Sequence, residues 1–346
     1  MNPCLLLLTL AYPCLPLLAS KPRDKLKALR YIDQRLQLVD IPPPEVPAGE
    51  ALVQVMLAGI CATDLEIMKG YLDFQGTLGH EFTGIVRECV SQPDLVGQRV
   101  VGEINAACGI CDWCRRGLGR HCPDRTVLGI EGRDGAFAEY LALPAVNLKP
   151  IPEALPDRAA VFTEPLAAAM EIPRQVHISP GVFVLVIGDG RLAQLIVRVL
   201  AQNYCRVDAV GHHESKLRRM KGFVNRIFLN QPPPDDQYPV VIEASGAPSG
   251  WAAAAEAVAP RGLIVLKSTY GEALNFNPSP LVVDEVTVVG SRCGPFAPAL
   301  AALAAGFNPT PLIDAEYPLS QYQEAFLQAG RPGTLKVLLK IGGDVR

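Results

Sequence analysis

Four side chains of the kinds that bind zinc stand at scattered positions in this sequence. Cys61 lies in "AGICATDLEIMKG", His80 and Glu81 in "LGHEFTG", and Glu164 in "FTEPLAAA". Taken singly, each has a purely structural reading. Cys61 suits a small buried residue, His80 a hydrogen-bonded core histidine, and Glu164 a carboxylate at a helix start. Together they supply one thiolate, one imidazole and two carboxylates. That set suits a catalytic zinc with an open or exchangeable position.

A second set is contiguous. "CGICDWCRRGLGRHC" places Cys108, Cys111, Cys114 and Cys122 in the spacing C-x2-C-x2-C-x7-C. A tetrahedral site of four thiolates has no open position, so it holds structure and does no chemistry. The loop is rich in Gly and Arg and has no apolar core of its own, so metal binding would supply its ordering energy. The chain has 10 cysteines, and only these four are clustered. A secreted disulfide scaffold would be shorter and more evenly stapled. A reduced, cytoplasmic setting is expected.

A third constellation suits a dinucleotide. "VLVIGDGRLAQ" puts Gly188 and Gly190 after a strand and before a helix, with Leu192 and Ala193 following. Gly188 permits the tight turn, and Gly190 lets backbone approach a pyrophosphate at the helix N-terminus. Ala193 stands where a third glycine is usual and is small enough for helix–strand packing. An NAD site expects Asp or Glu at the end of the second strand. That strand ends here at Gly211, followed by His212 and His213, with Lys216 and Arg218 nearby and Asp208 inside the strand. The charge balance favours NADP over NAD, and both stay candidates. Thr269 in "KSTYGEALNF" and Arg292 in "SRCGPFAPAL" are expected near the nicotinamide end.

These residues need two kinds of scaffold. From Leu36 to about Pro150 short Val- and Ile-rich strands alternate with Gly and Pro turns, which predicts an antiparallel, barrel-like β domain. From "GVFVLVIGDG" to "EVTVVGSR" strands alternate with helices, which predicts a doubly wound parallel sheet. The tail returns to one helix and one strand. A length of 346 residues fits about two domains. The net charge of −3 gives no reason to bind nucleic acid or an anionic membrane. Arg115, Arg116, Arg120 and Arg125 beside the cysteines form no extended basic stripe. The N-terminal "CLLLLTLAYPCLPLLAS" is too short and Pro-broken to span a bilayer comfortably. Three readings stand for it: a reading frame opened too far upstream, an export signal, or a real extra segment.

At this point the sequence resembles the zinc-dependent medium-chain alcohol and polyol dehydrogenases. The resemblance rests on "GICATD", "GHEFTGIV", "CGICDWCRRGLGRHC", "EPLAAAM" and "VIGDGRLA" in family order, and covers residue 27 to the end. It implies an α/β protein with a GroES-like β-rich catalytic domain at 26–155 and 293–346. A Rossmann domain at 156–292 is inserted, and 1–25 is an N-terminal extension. The resemblance also implies two zinc ions, one structural and one catalytic. Cys61 and His80 would hold the catalytic zinc, with Glu81 and Glu164 as further or alternating ligands. Thr63 would bond the substrate oxygen and pass its proton, and Asp64 would orient the ligand loop. Glu66 stands where many members carry a relay histidine. "GHE" with "EPL" looks like the polyol, glucose and threonine dehydrogenase side of the family. The implied reaction is reversible NAD(P)-linked oxidation of a secondary alcohol, polyol, sugar or amino-alcohol hydroxyl, by a homodimer or homotetramer. The alternative is a catalytically inactive NADPH-binding homologue.

Overall fold

The computed structural model describes residues 24–231, 237–270 and 276–342; the apolar N-terminal stretch at 1–23 lies outside them. The strand Glu50–Ile60 organises the first half. Its sequence, EALVQVMLAGI, is apolar at nearly every position, and the strand is buried on both faces. A strand buried on both faces must be central. It pairs antiparallel with Glu81–Glu88 on one edge and with Tyr140–Pro144 and Lys336–Lys340 on the other. The sheet continues outward through Arg99–Gly102 and Leu148–Pro150 on one side and Ile313–Pro318 on the other. A three-stranded antiparallel sheet, Arg35–Ile41, Leu26–Ile32 and Gly76–Thr77, packs beside it.

The C-terminal strand is the element that closes this lobe. Val337 pairs with Ile60 and Lys340 with Leu57. The last part of the chain therefore lands beside the end of the strand that carries Cys61. Glu81 pairs with Gly59 in the same register. A side chain at Gly59 would collide with the Glu81 carboxylate, so glycine is needed there.

The inserted lobe is a six-stranded parallel sheet. Its order is Arg226–Leu229, Arg206–Gly211, Phe183–Ile187, Tyr238–Glu243, Val258–Leu266 and Thr287–Gly290. Chain order reverses at Phe183–Ile187, which makes the end of that strand the switch point where such sheets bind ligands. The helix Arg191–Gln202 starts there and buries Leu195, Ile196, Val199 and Leu200. The helix Thr163–Gln175 packs against both Arg191–Gln202 and Phe296–Ala304. It thereby ties Glu164 to the nucleotide lobe. The strand Ile313–Pro318 and the helix Phe296–Ala304 were not foreseen from the sequence. Among the described residues, no helix is long and apolar enough to cross a membrane.

Candidate active site

The strand Glu50–Ile60 ends where Cys61 caps the short helix Ala62–Ile67. Glu81 opens the neighbouring strand, which runs antiparallel to it, and His80 directly precedes Glu81. The Cys61 sulfur, a His80 nitrogen and a Glu81 oxygen come within 4.8 Å of one another. His80 and Glu81 are 3% and 1% exposed. Asp64 braces the group from one turn into the helix. Its Oδ2 accepts the Cys61 N–H at 2.8 Å, and its Oδ1 lies 3.4 Å from His80 Nδ1. Thr63 Oγ1 is 3.8 Å from the Cys61 sulfur. Burial pushes the His80 pKa down, but the charges of Asp64 and Cys61 outweigh it and hold His80 well above its usual range. The pocket thus favours a positive charge, and a metal cation satisfies the same demand without the proton. The donor set fits zinc.

Glu81 is already paired. It accepts a hydrogen bond from Lys336 Nζ, and both side chains are buried. The Phe162 ring lies 5.6 Å from the same ammonium. Glu164 is the second residue of the helix Thr163–Gln175, which Phe162 precedes. Burial pushes its carboxyl up, opposed by His80 and reinforced by Glu81. It stands in the field of the cluster but outside the three-atom set. Glu66 points elsewhere: it pairs with Lys69 at 2.8 Å on the exposed side of the helix. Lys267 sits behind Glu164 and donates to Ala168 O at 2.8 Å, Arg292 O at 2.7 Å and Ser291 Oγ at 3.3 Å. Burial brings its pKa down to about 8. Lys336 and Lys267 escaped the sequence argument. The available signal was a lysine set inside or just after an apolar strand, in "TLKVLL" and "GLIVLKST".

The four-cysteine loop closes on itself. The Sγ–Sγ distances are 3.5 Å for Cys111–Cys114 and Cys108–Cys122, 3.7 Å for Cys111–Cys122 and 3.9 Å for Cys108–Cys114. A zinc bonded to four sulfurs at about 2.3 Å sets them about 3.8 Å apart, so the loop fits that ion. All four are free thiols. Backbone donation near Ile110 and Cys111 brings the Cys108 thiol down to about 7. The loop also touches the nucleotide lobe. Arg120 pairs with Glu171 at 3.0 Å and donates to Cys293 O. Arg292 donates to Asn105 Oδ1 and Arg120 O, both at 3.0 Å. In this structure Arg292 therefore belongs to the junction between the lobes.

At the nucleotide turn, Gly188 has φ +126°, and a Cβ there would lie 2.6 Å from Ala244 O. Gly190 caps the helix Arg191–Gln202, and a Cβ there would meet nothing, which leaves open space in front of the helix N–H groups. Ala193 is fully buried, and Leu192 is half-buried. This cradle fits a pyrophosphate. Thr269 is exposed beyond the fifth strand. His212 is exposed, while His213 and Lys216 face Asp189. The charge argument for NADP took the end of the second strand to lack a carboxylate. Asp189 supplies one: its Oδ2 accepts the N–H groups of His212 and His213 at 2.8 and 2.7 Å.

The chain is similar to several known proteins. Residues 47–153 match the alcohol dehydrogenase GroES-like domain family. An L-threonine 3-dehydrogenase of Legionella pneumophila is 27% identical over 326 residues, 87% of this chain and 95% of that one. A short chain alcohol dehydrogenase from Escherichia coli CFT073, solved with NADH, superposes with a TM-score of 0.85 at 27% identity, covering 92% of this chain and 100% of the other. A candidate zinc-binding dehydrogenase from Sinorhizobium meliloti, bound to NADP, gives a TM-score of 0.84 at 25% identity with the same coverage. The chain therefore carries a GroES-like domain of the alcohol dehydrogenase kind and, like the zinc-dependent medium-chain dehydrogenases that it resembles, is an NAD(P)-dependent oxidoreductase.

Proposed function

We propose that this enzyme oxidises the hydroxyl of a small secondary alcohol, polyol, sugar or amino alcohol to the carbonyl, reversibly, at the Cys61–His80 cluster. The observation that carries the proposal is the convergence of Cys61, His80 and Glu81 within 4.8 Å. The threonine dehydrogenase relatives put an amino-alcohol hydroxyl first in the panel to be tried. A zinc held by Cys61 and His80 would supply Lewis acidity towards the substrate oxygen. A bound nicotinamide would supply the hydride acceptor, and the protein supplies position and electrostatics.

The chain's own residues do the rest. Asp64 holds the Cys61 backbone and faces His80, which fixes the two ligands relative to one another. Thr63, beside the Cys61 sulfur, takes the hydroxyl proton and passes it towards solvent. Glu81 is held back by Lys336, and Glu164 stands in the field of His80 and Glu81 with its carboxyl pushed up by burial. These two are the exchangeable ligands. Gly188, Gly190, Leu192 and Ala193 seat the pyrophosphate, with Thr269 towards the nicotinamide. Cys108, Cys111, Cys114 and Cys122 hold the structural zinc. The catalytic domain is 26–155 with 293–346, and 156–292 is the cofactor domain. The strand Thr287–Gly290 is exposed at the sheet edge, which suits pairing with a second copy in a dimer or tetramer. The setting is cytoplasmic.

The test is metal content and turnover together. Two zinc ions per chain in the wild type, one in Cys61→Ser, and loss of turnover only in the variant are expected. Normal turnover in Cys61→Ser would remove the catalytic assignment. A zinc-replete protein silent on every alcohol in the panel would favour the inactive homologue.

A further inference from the structure

We infer that Asp189 selects between the two nicotinamide dinucleotides, and that it selects NAD by filling with its own carboxylate the seat a 2′-phosphate would need. The inference rests on the dinucleotide site proposed above and goes beyond it.

In a dinucleotide fold the selecting carboxylate ordinarily ends the second strand and bonds the ribose hydroxyl, while enzymes for NADP place a cation there for the phosphate. Here Gly211 ends that strand. The reason is steric. A Cβ at Gly211 would lie 2.6 Å from Asp189 Cβ and 2.7 Å from Asp189 Oδ2. The two positions compete for one volume, and the side chain from the glycine turn takes it. A carboxylate therefore does stand at the end of the second strand, delivered from the first loop.

Its partners are the groups that would otherwise bind a phosphate. Successive backbone N–H groups form a concavity suited to anions. His212 and His213 offer two such groups, and both donate to Asp189 Oδ2. His213 Nδ1 lies 3.1 Å from Oδ2, and Lys216 Nζ lies 3.8 Å from Oδ1. So the backbone donors, His213 and Lys216, which made NADP attractive on charge, already face an internal anion, and Arg218 is paired with Glu214 instead. Asp189 is only 8% exposed, so water screens it poorly. An incoming 2′-phosphate would have to displace the carboxylate or sit against it. A ribose 2′-hydroxyl has no such conflict. It can donate to Oδ1, whose nearest partners, His213 at 3.3 Å and Lys216 at 3.8 Å, leave room for a further donor.

The experiment is direct binding of NADH and NADPH to the full chain, read by nicotinamide fluorescence without substrate. The wild type should bind NADH at least about ten-fold more tightly than NADPH, a lower bound for close like-charge contact. Asp189→Asn keeps the shape and removes the charge. It should shrink that ratio about ten-fold or more, mainly by tightening NADPH. Asp189→Gly combined with Gly211→Asp moves the carboxylate to the conventional position and should restore the NADH preference. A wild type that prefers NADPH, or a ratio unmoved in Asp189→Asn, overturns the inference. Should Asp189→Asn fail to fold, an NADPH preference in the double exchange does the same. A wild type that binds neither dinucleotide would remove the proposed cofactor site itself, and this inference with it.

Discussion

The four-cysteine loop and the Cys61–His80–Glu81 cluster draw on similar ligands but come to them in opposite ways. The loop gathers its sulfurs from one short run of sequence, and most of them are partly exposed. No apolar side chain of the run from Gly109 to His121 is buried. The second cluster joins residues from two strands and a helix start, braced by Asp64 and by Lys336 from near the chain's end. Packing and strand register position the second cluster before any metal arrives. The loop has no apolar packing of its own between Gly109 and His121 and relies on the metal together with the ties of Arg120 to Glu171 and Arg292. On the proposed function, ligands of the same kind serve stability in one place and chemistry in the other.

The strongest way to break this contrast is to cut one sulfur from each site. Cys61→Ser should lower turnover about a thousand-fold or more, the scale of losing Lewis-acid stabilisation, while the circular dichroism spectrum and melting temperature stay close to wild type. Cys111→Ser should do the reverse, with a large drop in melting temperature and residual turnover at low temperature. Structural zinc contributes on the order of 10 kcal/mol in small fingers, and part of that is expected here. If both variants melted early and both kept turnover at low temperature, the division of labour would be wrong.

Lys336 sharpens the comparison next. Lys336→Met leaves Glu81 as an unpaired buried carboxylate, which typically costs about 3–5 kcal/mol. Adding Glu81→Gln should recover much of that loss, because the stranded charge is gone. Denaturant unfolding of the single and double variants measures the coupling. A Lys336→Met protein as stable as wild type would mean that the pair does not hold the carboxylate.

These two sites also differ in how far the sequence revealed them. The cysteine spacing is local, so it could be read directly. The doubly wound lobe was legible for the same reason: each strand and helix carries its own periodicity, and Gly188 and Gly190 mark the turn. Lys336 was hidden because its role depends on register. It lies 255 residues from Glu81, and only the pairing of Val337 with Ile60 brings them together. Asp189 was hidden for a different reason. The rule for ribose recognition looks at the end of the second strand, whereas this carboxylate crosses from the first turn. Ile313–Pro318 carries Asp314 and Glu316 in a half-buried strand, so it shows no apolar run to read.

A smaller effect belongs to Lys267, which ties the rear of the catalytic helix to the nucleotide lobe. Burial brings it from 10.5 to about 8. Between those values the unfolded chain binds more protons than the folded one, so Lys267 makes stability rise with pH across that window. Lys267→Met lacks this contribution. The stability of wild type relative to the variant should therefore grow by about 3 kcal/mol from pH 7.5 to 10.5, with most of the change above pH 8. Parallel unfolding curves at four pH values measure it. A constant difference would place the ammonium in a wetter setting than its three bonds imply.

The smallest effect is expected at Glu66, and it separates the working face of the ligand helix from its outer face. Cys61, Thr63 and Asp64 line the inner side, whereas the Glu66 side chain is 52% exposed and paired with Lys69. An exposed pair of this kind contributes at most about 1 kcal/mol. A proton passed from Thr63 needs an acceptor within hydrogen-bond reach or one water away. Glu66→Gln removes the charge and keeps the size. It should change kcat by less than about two-fold and leave the pH profile in place, since general acid–base groups contribute about 10²–10⁴ when they act. A hundred-fold fall in kcat with a shifted pH profile would bring Glu66 into the relay. It would then follow that the helix Ala62–Ile67 turns when substrate and cofactor bind, because its present outer face would have to meet the cleft.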